Sequence, residues 1–105
     1  MFSCSQMRGM LYRRPDAQSA IAGGPGNPDL RGTVSFYQVA GGALVMAEIV
    51  GLPQGEGVCA ADVFGFHIHE GSCCSGTAED PFADAGSHYD LHGCPHPAHA
   101  GDLPP

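Results

Sequence analysis

All six histidines of this 105-residue chain lie between His67 and His99; none precedes His67. They come in three groups: Phe66-His67-Ile68-His69, then Gly86-Ser87-His88-Tyr89-Asp90, then His92-Gly93-Cys94-Pro95-His96-Pro97-Ala98-His99-Ala100-Gly101-Asp102. Imidazole nitrogens are the commonest protein ligands for copper and zinc, and a carboxylate often completes a zinc shell. The chemistry these residues could do is therefore metal binding, with ligands enough for two ions. In a strand, residues two apart share a face, so His67 and His69 project together while Phe66 and Ile68 turn into apolar packing. His88, His92, His99 and Asp102 then offer three imidazoles and one carboxylate, the type and number of a tetrahedral zinc shell. His96, set between Pro95 and Pro97, reads as a surface residue and is the alternative to His92. The bland counterpart is a solvated histidine-rich loop, but such tracts are usually low in complexity and this one is interleaved with Gly and Pro turns.

The elements that must hold these ligands read as strands and turns. Residues 1–31 read as an N-terminal tail, partly disordered, in which Gly23-Gly24-Pro25-Gly26-Asn27-Pro28 breaks any regular element; a short strand around Ala20–Ala22 is the alternative. Residues 32–105 read as a β domain. Thr33-Val34-Ser35-Phe36-Tyr37-Gln38-Val39 is β-branched and aromatic, with Val34, Phe36 and Gln38 on one face and Ser35, Tyr37 and Val39 on the other. Gly41-Gly42 supplies a turn and Leu44–Val50 the return strand of a hairpin. A third strand is expected from about Val63 to His69. Beyond Glu70 the texture is loop, and a loop this long is usually functional or disordered; bound metal is what would order it.

Composition narrows the function classes. The 16 glycines and 9 prolines argue for short strands and many turns, and 43% hydrophobic residues allow one modest core. The formal charge is −7, with no lysine and arginine only at Arg8, Arg13, Arg14 and Arg31. Nucleic acid and an anionic membrane surface both need basic side chains, so neither is expected as a partner. No stretch is apolar enough to span a bilayer, and Met1–Met10 lacks the apolar segment of a secretory signal. The location expected as written is cytoplasmic, or periplasmic or extracellular if a leader has been lost. Five cysteines, Cys4, Cys59, Cys73, Cys74 and Cys94, cannot all pair within one chain.

The ligand motifs, in this order, resemble the copper–zinc superoxide dismutases, especially their bacterial branch. Gly65-Phe66-His67-Ile68-His69-Glu70 resembles the copper-ligand strand and Gly71-Ser72-Cys73 the segment carrying the family's disulfide cysteine. Gly86-Ser87-His88-Tyr89-Asp90 resembles the motif of the histidine that bridges both metals. His92-Gly93-Cys94-Pro95 and His99-Ala100-Gly101-Asp102-Leu103-Pro104 resemble the zinc loop. Gly32-Thr33-Val34-Ser35-Phe36 and Gly51-Leu52-Pro53-Gln54-Gly55 fit the early strands. The resemblance runs from about Gly32 to Pro105. It implies an all-β fold, a Greek-key β-sandwich or flattened barrel of the immunoglobulin-like type, incomplete here, with a long metal-binding loop. It implies copper at His67, His69 and His88, and zinc at His88, His92, His99 and Asp102. The implied activity is antioxidant disproportionation of superoxide to dioxygen and hydrogen peroxide, with His67, His69 and His88 catalytic. Cys73 becomes the disulfide candidate.

The chain also departs from the family pattern. The step from His88 to His92 is shorter than the family's usual gap, which keeps His96 open as the zinc ligand. The fourth copper histidine, an anion-guiding arginine and the partner cysteine have no counterpart among these residues. The expectation is that this is the N-terminal portion of a longer dismutase, marginally stable without metal or a partner, with edge strands that would allow a homodimer. The alternative reading is a non-catalytic copper- and zinc-binding relative that buffers or carries metal. An unrelated zinc module using Cys73, Cys74 and Cys94 fits poorly, because adjacent cysteines lack the two-residue gap of zinc knuckles and the His67-x-His69 pair would have no role.

Overall fold

A computed structural model describes residues 13–57 and 63–104. Cys4 and Cys59 lie outside the described residues. The chain forms two compact units, Met1–Pro53 and Gln54–Pro105. Among the described residues all regular structure is β apart from one 3-10 turn at Ala83–Ala85, and the strands within each of the two sheets pair antiparallel. Among the described residues no helix is long and apolar enough to cross a membrane.

The first unit is a three-stranded sheet of β1 (Ala17–Ala22), β2 (Arg31–Val39) and β3 (Gly42–Val50), in the order β1-β2-β3. The expected hairpin is present as β2 and β3, paired from Arg31↔Val50 to Val39↔Gly42. Its link is the two residues Ala40 and Gly41, one step earlier than the glycine pair suggests. Gly41 takes φ +78°, a left-handed conformation that costs a side-chain-bearing residue about 1–2 kcal/mol. Gly42 is then free to join the ladder. Residues 17–22, within the stretch read as a tail, pair with β2 from Ala17↔Phe36 to Ala22↔Arg31. The start of that strand is tied down: Asp16 Oδ2 accepts from the Gln38 amide at 2.7 Å and from Arg13 Nη2 at 2.6 Å. Val34 and Tyr37 are the buried apolar residues among those described. Three positions apart, they sit on opposite faces of β2, so each face is covered locally and neither along its whole length.

The second unit has little regular structure. β4 (Phe66–His67) pairs with β5 (Asp102–Leu103) in the register Phe66↔Leu103 and His67↔Asp102, and His69 forms an isolated bridge with His88. The third strand is thus shorter than the expected Val63–His69. Its ladder stops because the backbone of Ile68 divides between two partners, donating to the Gly101 carbonyl (2.8 Å) and accepting from the Tyr89 amide (2.7 Å). The long loop is pinned by local bonds: Glu70 N to Ser87 O, Gly71 N to Ala85 O and Asp84 N to Ser75 O, at 2.7–2.9 Å.

Candidate metal centre

Three chain segments meet at one carboxylate. Asp102 begins β5, and its side chain is only 6% exposed. Its Oδ1 lies 3.1 Å from His67 Nδ1 and 2.9 Å from His88 Nδ1; its Oδ2 lies 3.1 Å from His96 Nδ1 and 3.2 Å from His99 Nδ1. Four imidazoles therefore turn the same ring nitrogen toward one acid. The His67 ring stacks on His88 at 3.9 Å, and His96 and His99 stand 5.5 and 5.4 Å from His88 between centroids.

Local backbone geometry explains the aim of each ring. His67 faces Asp102 because the two are cross-strand partners. His99 and Asp102 close on one another: the His99 amide donates to Asp102 Oδ2 and the Asp102 amide to the His99 carbonyl, each at 3.1 Å. His88 follows from its bridge to His69. His69 points its Nδ1 at the Gly86 carbonyl, 2.9 Å away. A carbonyl can only accept, so Nδ1 carries the proton and Nε2 keeps a free lone pair, the tautomer a metal ligand needs.

His88, His96, His99 and Asp102 each offer one ligand atom, and these atoms all lie within 4.8 Å of one another. Zinc–ligand bonds of ~2.0–2.1 Å in a tetrahedron give a ligand–ligand edge of ~3.3 Å. From Asp102 Oδ2, the distances of 3.1 Å to His96 Nδ1 and 3.2 Å to His99 Nδ1 are close to that edge, while His88 Nδ1 lies 2.9 Å from the other oxygen, Oδ1. His99 Nδ1 supplies a further test: it is buried and makes no hydrogen bond despite its nearness to Asp102. A buried nitrogen without a partner is costly, and a metal ion would satisfy it. Three imidazoles, one of them carrying that orphaned nitrogen, and one carboxylate fit zinc.

His92, expected among these ligands, stands elsewhere. It is exposed, and its amide donates to Asp90 Oδ1 at 3.0 Å in a tight turn. His96 occupies the group instead. The legible signal was the three-residue step of His96, His99 and Asp102, which the flanking prolines obscured. His67, His69 and His88 are neighbours, with His69 and His88 at 5.1 Å between ring centroids, but they do not form a group of ligand atoms at metal spacing among the described residues. Cys73 and Cys74 are exposed free thiols and Cys94 is a half-buried one.

Electrostatics favours the ionised acid. Burial of the Asp102 carboxyl would raise its pKa. The His99 amide, the charges of His96 and His99 and the His88 hydrogen bond outweigh this and hold it below the ordinary 3.8. Asp90 is also held low, chiefly by the His92 amide and further by those of Cys94 and Gly93, against a desolvation effect of opposite sign. A cleft of ≈ 450 Å³ lies beside His67, His96 and Asp102.

Residues 30–105 match the sequence model of the copper/zinc superoxide dismutase family. No curated protein and no solved structure matches the chain.

Proposed function

Because the chain belongs to the copper/zinc superoxide dismutase family, we propose that it disproportionates superoxide at a histidine-bound copper beside a structural zinc. The observation that carries this is the convergence of His88, His96 and His99 on Asp102, with His67 on the strand paired to Asp102 and His69 bridged to His88. His88, His96, His99 and Asp102 would hold zinc, and His67, His69 and His88 copper. Copper bound there would supply one-electron chemistry, taking an electron from one superoxide to release dioxygen and returning it to a second, which with two protons leaves as hydrogen peroxide.

The chain's own groups have definable tasks in that reading. His88 directs Nδ1 to the Asp102 cluster, which leaves Nε2 as a second ligand atom, so one ring can serve two ions. The Gly86 carbonyl orients His69 through its Nδ1. Asp102 holds the zinc-side rings at a fixed spacing and supplies the negative charge that a divalent ion neutralises. The cleft beside His67 is where a small anion would approach. All charged side chains beyond Arg31 are acidic, so attraction of superoxide would fall to the metals' own charge.

One observation favours the alternative, a relative that buffers or carries copper and zinc without turnover. His67 is paired with Asp102 rather than grouped with His69 and His88 at metal spacing. Superoxide consumption by the copper- and zinc-loaded chain separates the two, with His67→Ala as control. Metal-dependent turnover lost in His67→Ala supports the dismutase; both metals bound with no turnover supports the carrier.

A further inference from the structure

The ligands of the proposed centre come from segments far apart in sequence, and a closed ring of three backbone hydrogen bonds joins those segments. The Ile68 amide donates to the Gly101 carbonyl (2.8 Å), the Gly101 amide to the Tyr89 carbonyl (2.8 Å), and the Tyr89 amide to the Ile68 carbonyl (2.7 Å). Every corner of the ring adjoins a ligand. Ile68 lies between His67 and His69, Tyr89 follows His88, and Gly101 precedes Asp102 and follows His99 by two. Gly101 is buried, and a Cβ there would run into the Ile68 carbonyl oxygen and stand 3.1 Å from both Cβ and N of Tyr89. The first obstacle is backbone, so no side-chain rotation relieves it; the segments would have to part.

We propose that Gly101 is the positioning residue of the metal centre: its missing side chain lets the Ile68–Tyr89–Gly101 ring close, and that ring sets the distances between ligands from three segments. It binds no metal and acts only through its neighbours. Opening the ring would move Asp102 and His99 away from His67 and His88 together, because the bonds lost are those that align the segments. A displacement of ligand atoms by a few tenths of an ångström is enough to weaken a metal site.

The role rests on the metal-centre reading, and the test separates the two. Gly101→Ala should bind zinc at least ~10-fold more weakly than the unaltered chain. At saturating cobalt(II), used as a spectroscopic probe in place of zinc, it should also show altered visible d–d bands, which a change in stability alone would not produce. Gly26→Ala, where a Cβ meets nothing within 4 Å, should change neither. Unchanged zinc affinity and an unchanged cobalt spectrum in Gly101→Ala overturn the proposal. If that variant does not fold, hydrogen exchange of the unaltered chain decides: zinc should slow the Ile68, Tyr89 and Gly101 amides together, and unchanged exchange at the three overturns it. An unaltered chain that takes up neither zinc nor cobalt removes the metal-centre reading and this role with it.

Discussion

His67 and Asp102 face one another across the two-residue ladder of β4 and β5, with the imidazole Nδ1 3.1 Å from the carboxylate Oδ1. The same oxygen lies 2.9 Å from His88 Nδ1. One carboxylate oxygen thus stands between a histidine of the proposed copper set and the histidine proposed to serve both ions. Asp102 is the residue whose loss should be felt most widely.

Asp102→Asn keeps the shape and removes the charge. Zinc affinity, measured by competition with a chromophoric chelator, should fall by at least ~100-fold, beyond the ~10–100-fold typical of residues that only support a ligand. A fall of under fivefold would place the ion elsewhere.

His92 and His96 give opposite expectations. His96→Ala removes one of the four grouped ligands and should weaken zinc strongly. His92→Ala removes an exposed ring outside the group and should leave affinity within about twofold. Isothermal titration of both variants checks this, and the reverse order would move the zinc loop into the register of His92.

The depressed pKa of Asp102 has a definite sign in stability. A carboxyl held lower in the folded than in the unfolded chain contributes stability that is fully present above its unfolded value of ~3.9 and disappears as pH falls through its folded value. Urea unfolding of the metal-free chain should therefore show stability declining from about pH 4 downward. Asp102→Asn should remove part of that decline and Asp90 should keep another part, since its carboxyl is also held low. Identical acid profiles for wild type and Asp102→Asn would contradict the assignment.

Adjacent glycines in the hairpin should behave differently. Gly41 has φ +78°, so Gly41→Ala should cost about 1–2 kcal/mol. Gly42 lies in the ladder, outside the left-handed region, and a Cβ there meets nothing within 4 Å, so Gly42→Ala should be neutral or slightly stabilising. Urea midpoints of the two variants measure the contrast.

Zinc should stabilise the chain by mass action if the cluster is formed only in the folded state. At a free zinc concentration ~100 times Kd the gain is ~2.7 kcal/mol, read as a rise in urea midpoint that His96→Ala abolishes. A midpoint indifferent to zinc would argue against binding to the folded chain.

What could be read from sequence was what is local. The alternation of Thr33–Val39 and the nearby glycine pair specify the β2–β3 hairpin, because side-chain period and turn conformation are properties of neighbours. The ligand types were equally legible, since metal chemistry resides in imidazole and carboxylate whatever surrounds them, and the order of their motifs marked the family that residues 30–105 match. Tertiary structure decided which ligands meet. His96 rather than His92 joins His88, His99 and Asp102, and Ile68 ends the third strand early, because Ile68, Tyr89 and Gly101 exchange hydrogen bonds across long stretches of loop. No periodicity encodes those bonds. They depend on three segments meeting at buried Gly101, whose absent side chain leaves room for its backbone to pair with Ile68 and Tyr89.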